Sequence, residues 1–138
     1  MRGRLRRLEQ CIRKLRDLRS CGRASFVSDE ALLDRAEWNI QVAAQACADI
    51  ALHIVAASGE TVPETYADAV TALARVGVIG QEVAASIAGA IRLRNIIVYD
   101  YLDVDPGRIH DELGWIEEAT AFGAAVERWL EALETRPS

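Results

Sequence analysis

The chain has 138 residues, 51% hydrophobic but only 6% aromatic; that length suits one domain, expected over residues 1–138, and excludes both a disordered chain and one that needs disulfide or metal staples. Its 23 alanines, against three prolines and nine glycines, favour helices and leave too few turn residues for a sandwich or barrel. The net charge of −5 averages two unlike parts: residues 1–23 carry a net +7, from nine basic side chains against Glu9 and Asp17, and the remainder carries −12. Such a split admits a basic arm for nucleic acid or a basic helix packed on an acidic body.

Leu5, Leu8, Ile12 and Leu15 recur at helical spacing and predict a first helix over about residues 4–20, closed by Gly22. Ser28 then reads as an N-cap, with Asp29 and Glu30 in the first turn. Leu33, Ala36, Ile40, Ala43, Cys47, Ile50 and Ile54 alternate spacings of 3 and 4, predicting a long second helix to about Ser58 with Gly59 as its stop. Pro63 suits the first position of a short third helix that uses Tyr66, Val70 and Leu73, and Gly77 and Gly80 bracket the next break. A fourth helix starts near Gln81 and carries Val83, Ile87, Ala90, Arg94, Ile97 and Tyr101 on its seam. Asp105-Pro106 breaks the chain before a last helix over about Ile109–Leu133, weakened by Gly114 and Gly123. The expected fold is all-α, an antiparallel up-and-down four-helix bundle with an additional short helix.

Cys11, Cys21 and Cys47 form an odd set without metal-ligand spacing, which points to a reducing compartment. The N-terminus lacks the apolar run of a signal peptide and no stretch of 18 apolar residues occurs, so a soluble cytoplasmic protein with no membrane association is expected.

Arg94 and Tyr101 break the apolar seam of the fourth helix. In one helix, seven residues turn the chain about 700°, so the two would share a face to within about 20°. Arg92, Asn95 and Tyr99 form a second stripe beside them. Two arginines, an asparagine and two tyrosines over about three turns offer charge, directional donors and aromatic faces, the parts that hold phosphate and stack bases. The bland alternative is the end of a bundle seam, where Arg94 snorkels and Tyr101 caps the core. The group contains no metal-ligand set, nucleophile–base pair or glycine-rich phosphate loop, so no cofactor and no metal is expected.

The run Arg94-Asn95-Ile96-Ile97-Val98-Tyr99-Asp100-Tyr101, followed by the acidic Leu102–Asp105 tail, resembles the signature of HepT-like proteins of the HEPN superfamily: an Arg-Asn pair, a few residues, then His-x-Tyr. The long alanine-rich second helix around residues 47–54, the Pro63–Tyr66 stretch and the Gly77-Val78-Ile79 turn are similar too. The resemblance implies a helical bundle that forms a homodimer with the two motifs facing across a cleft. It also implies the toxin of a HepT–MntA-type toxin–antitoxin pair, a metal-independent endoribonuclease acting on RNA. The implied partner is a minimal nucleotidyltransferase antitoxin that adenylylates the motif tyrosine, which maps to Tyr101. Arg94, Tyr99 and Tyr101 are then the catalytic candidates, with Asn95 in support.

Tyr99 stands where the family usually has histidine. Cleaving RNA without a metal takes a base for the 2′-hydroxyl and an acid for the leaving oxygen. Histidine suits both because its ordinary pKa is about 6.5, whereas a phenol's is about 10. The alternative implied is a non-catalytic, nucleotidyltransferase-binding subunit, and beyond it a motif that merely braces the dimer. His53 and His110 are the two histidines that could replace the missing base, although a helical histidine is more often structural. Trp38, Trp115 and Trp129 read as fillers of bundle or dimer interfaces.

Overall fold

In the computed structural model, which describes residues 1–135, helix α1 (Arg2–Ser20) buries Leu5, Leu8, Cys11, Ile12, Leu15 and Leu18 along one stripe. Gly22 ends it with φ at 89°, a value that only glycine adopts without strain. Between Gly22 and the long helix, where no element is predicted, lies a short helix, α2 (Arg23–Ser28), which buries Phe26. Ser28 is therefore not the cap of the long helix. Its hydroxyl turns back onto the carbonyls of Ala24 and Ser25 at 3.0 and 3.2 Å. The extended residue Asp29 caps α3 (Glu30–Ala57) by accepting from the Ala31 N–H at 3.0 Å.

Helix α3 spans 28 residues, about 42 Å at 1.5 Å per residue, and is buried on most of its circumference. By length and composition it could cross a membrane, with an 18-residue window of mean hydropathy 1.5, a reading that the expectation of no span had excluded. Over half of that window is buried inside the protein, as befits the central helix of a bundle. Its C-terminus is a Schellman motif: the Gly59 N–H donates to the Ala56 carbonyl at 3.2 Å and the Glu60 N–H to Val55 at 3.3 Å. Helix α4 (Tyr66–Arg75) starts three residues later than Pro63 suggests. Thr65 decides the start, because its hydroxyl accepts from the Asp68 N–H at 3.1 Å while its own backbone is extended. Gly77 repeats the Schellman closure, with the Val78 N–H donating to Leu73 at 3.1 Å.

Helix α5 (Gln81–Tyr99) stops at Asp100, which leaves helical geometry at φ −121° and ψ 37°. A 3-10 turn (Tyr101–Asp103) follows. The expected last helix is two: α6 (Pro106–Asp111), capped by the Asp105 carboxylate, and α7 (Trp115–Glu134), separated at Gly114. Helices α1, α3, α5 and α7 close a ring in which α1 meets α3 and α7, and both of these meet α5. α4 packs on α3 and α5, and α2 on α6. Among the described residues the four-helix bundle thus carries three short α-helices rather than one.

The basic first helix lies against the acidic body. Arg2 pairs with Glu127 at 2.9 Å and also with Glu134; Arg4 approaches Asp49 at 3.8 Å; Arg19 pairs with Glu117 at 2.7 Å; Arg23 pairs with Asp111 at 2.9 Å. The contacts of Arg2, Arg4 and Arg19 join the start of α1 to the later part of α3 and the end of α7, and its end to the start of α7, so α1 runs antiparallel to both, while Arg23–Asp111 ties α2 to α6. Water and salt screen such solvent-exposed pairs, so they register the helix more than they stabilise it. The core does that: Leu8, Leu15, Phe26, Ile40, Ile50 and Phe122 are among its fully buried side chains. Buried Ala43, Ala44, Ala48 and Ala51 keep α3 slim enough for neighbours to approach on several sides.

Candidate functional site

Arg94 extends from α5 across the alanine surface of α3. Its Nη2 donates to Gln45 Oε1 at 3.1 Å and its Nη1 to Asn95 Oδ1 at 3.0 Å. Gln45 Nε2 in turn donates to Asp49 Oδ1 at 3.0 Å, and Asp49 Oδ2 lies 3.8 Å from Arg4 Nε. A polar chain therefore runs from α5 over α3 to α1 and fixes the half-buried guanidinium of Arg94. Sequence reasoning found Arg94 and Asn95 and missed Gln45 and Asp49. The signal was present: Gln41, Gln45 and Asp49 recur every fourth residue and so share one face of a helix rich in alanine and isoleucine.

Arg94 forms part of the wall of a groove of about 490 Å³ whose lining includes Pro63, Tyr66, Arg92, Asn95 and Tyr99. The groove thus gathers Arg94 from the first stripe with the whole second stripe, and the Pro63–Tyr66 stretch with them. Tyr99 is 74% exposed at the end of α5. Tyr101 is not on that helix. It opens the 3-10 turn, is 66% exposed, and is not among the groove-lining residues. The shared helical face expected for Arg94 and Tyr101 fails because α5 ends two residues before Tyr101.

Neither histidine lines the groove. His53 is exposed on α3. His110 packs against Phe26 with ring centroids 5.3 Å apart, and its Nε2 lies 3.3 Å from the Arg19 carbonyl, so it belongs to the α2–α6 junction. Of the tryptophans, Trp115 is buried, Trp129 packs partly buried on the core, and Trp38 is 59% exposed on α3. Chemically, the groove offers a positioned cation for phosphate oxygens, an amide beside it, and a phenol that can donate a proton.

A family model described as ribonuclease HepT-like matches residues 8–115 of this chain. The chain belongs to the HepT-like ribonuclease family. Across 71% of this HepT-like chain, 31% of residues are identical to the mRNA nuclease HepT of Shewanella oneidensis, over 73% of that protein. A tri-AMPylated Shewanella oneidensis HEPN toxin in complex with MNT antitoxin superposes with a TM-score of 0.82 at 26% identity, covering 91% of this chain and 95% of that one. Bacillus subtilis YutE, a cytosolic protein of unknown function, shares the fold at a TM-score of 0.72 and 17% identity, over 94% and 95% of the two chains. The matched stretch of the HepT-like chain takes in Gln45, Asp49 and the whole of α5.

Proposed function

We propose that this HepT-like protein is the toxin of a cytoplasmic toxin–antitoxin pair, a metal-independent endoribonuclease that works as a homodimer and is silenced when a minimal nucleotidyltransferase adenylylates Tyr101. The observation that carries the reading is Arg94, a guanidinium held by Gln45 and Asn95 in the wall of an open groove. In RNA cleavage the 2′-hydroxyl gives its proton to solvent water as its oxygen attacks the adjacent phosphorus, and the bond from phosphorus to the 5′-oxygen breaks. Negative charge builds on the phosphorane oxygens, and a preorganised cation stabilises that charge more than it stabilises the ground state. Tyr99 serves as the donor to the leaving oxygen. Each copy brings Arg94, Asn95 and Tyr99 to one wall, and the second copy supplies the facing wall. The Shewanella toxin, AMPylated and bound to its MNT antitoxin, supports the pairing and the mode of silencing. Tyr101 stands exposed on a turn beside the groove-lining Tyr99, where a transferase can reach it and where added nucleotide phosphates would crowd the groove.

Tyr99 in the usual histidine position, with no histidine among the groove residues, favours a second reading: a non-catalytic subunit that docks the transferase and presents Tyr101. Coexpression with an MNT-type nucleotidyltransferase tests the silencing. Intact mass is expected to rise by whole AMP units in the wild type and in Tyr99→Phe, and to stay unmodified in Tyr101→Phe. An unmodified wild type overturns it. Cleavage of single-stranded RNA by the unmodified protein separates the two readings.

A further inference from the structure

We propose that α1 supplies a phosphate subsite, in which Arg4 and Arg7 together with Arg94 hold an RNA phosphodiester flanking the one that is cleaved; this rests on the nuclease reading above. A second groove, of about 360 Å³, runs between α1 and α3 and is lined by Arg4, Arg7, Val42, Ala46, Asp49 and Arg94 among others. Arg94 lines both grooves. A strand lying against Asn95 and Tyr99 therefore has a continuous path past Arg94 to the first turns of α1.

The chemistry of the second groove suits a phosphodiester. Three guanidinium groups face one carboxylate, and arginine presents a planar fork of donors that matches phosphate oxygens. Arg4 and Arg7 are three residues apart on a helix, so they share a face. Both are exposed and loosely held. The contact of Arg4 with Asp49 is 3.8 Å long, and among the described residues the side-chain hydrogen bond of Arg7 goes to Gln10 at 3.5 Å. Each can turn to a ligand at little cost, in contrast to Arg2 and Arg19, which are engaged with α7. Val42 and Ala46 give the groove a small apolar floor on which a ribose can rest. Arg4 and Arg7 precede the stretch that the family model matches, whereas Val42, Ala46, Asp49 and Arg94 lie within it.

Fluorescence anisotropy with a labelled, 2′-O-methylated single-stranded RNA decamer, which binds without being cleaved, tests the subsite. The Arg4→Ala/Arg7→Ala variant is expected to bind about tenfold more weakly at low salt, and the slope of log K against log salt is expected to fall by about 1.4, two contacts at about 0.7 each. Arg4→Lys/Arg7→Lys keeps the charge and most of the slope. The control Arg13→Ala/Lys14→Ala, on other parts of the same helix, changes affinity by less than about threefold. A wild type that binds no RNA overturns the nuclease reading itself. Wild-type affinity and slope in Arg4→Ala/Arg7→Ala overturn the subsite alone, as does an equal loss in the control, which would mark diffuse attraction to the basic helix.

Discussion

Replacing Gln45 by methionine keeps the volume and helix propensity of the site but removes the carboxamide that holds Arg94. The lost bond is a part-buried, charge-assisted contact of 3.1 Å, of a kind that contributes about 1.5–3 kcal/mol. The 3.0 Å contact with Asn95 remains, but it comes from the adjacent exposed residue and restrains the guanidinium weakly. If about 1.4 kcal/mol of the lost interaction is expressed where the phosphorane charge develops, kcat falls about tenfold. KM should change little, because the charge on Arg94 is still present for ground-state attraction. Global stability should fall by no more than the about 1.5–3 kcal/mol of that bond, since Gln45 is only half-buried and Asp49 keeps Arg4 as a neighbour. The assay is single-turnover cleavage of a fluorogenic RNA, beside thermal unfolding of the same samples. An unchanged kcat, or a loss confined to KM, would refute the idea that Gln45 acts by positioning Arg94.

Other consequences can be checked separately. Tyr99→His restores a group with an ordinary pKa of about 6.5 to the groove and is expected to raise the cleavage rate by at least tenfold near neutral pH, with a pH profile that gains an inflection in that range; a flat profile at the wild-type rate would remove Tyr99 from the proton-transfer step. Phe122→Ala empties a fully buried ring position on α7 and should cost about 3–5 kcal/mol in a denaturant titration. The Glu117 carboxyl is held below its ordinary value, chiefly by its hydrogen bond to Arg19. A depressed folded-state pKa gives stability that is present above the ordinary carboxylate range and is lost as pH falls through the folded value. Carbon-detected NMR should find the Glu117 titration shifted to lower pH in the wild type and returned towards its ordinary value in Arg19→Ala.

The long helices were legible because Leu5–Leu15, Leu33–Ile54 and Val83–Ile97 each repeat an apolar spacing over several turns, and a repeat of that length has few alternatives. Helices α2 and α6 were not, because six residues hold fewer than two turns and show no period. Neighbouring Ser28 and Asp29 can both cap, and only the backbone shows that Ser28 is still helical. The end of α5 lacks a glycine or proline mark. Asp100 simply leaves the helix, and this misplaced Tyr101 by putting it on a face it does not share. For the site, the break in the apolar pattern exposed Arg94, but periodicity on one helix cannot say which other helix it meets. The packing of α5 on α3 supplies Gln45, and that of α1 on α3 brings in Arg4 and Arg7.

The most direct measurement of the central claim is end-group analysis of RNA incubated with the unmodified protein and with Arg94→Ala. Attack by the 2′-hydroxyl at a phosphorus beside Arg94 predicts fragments ending in a 2′,3′-cyclic phosphate with matching 5′-hydroxyl ends, formed by the wild type and suppressed by at least a hundredfold in Arg94→Ala. Intact RNA with the wild type and with Tyr99→His, or cleavage that persists at the wild-type rate in Arg94→Ala, would contradict it.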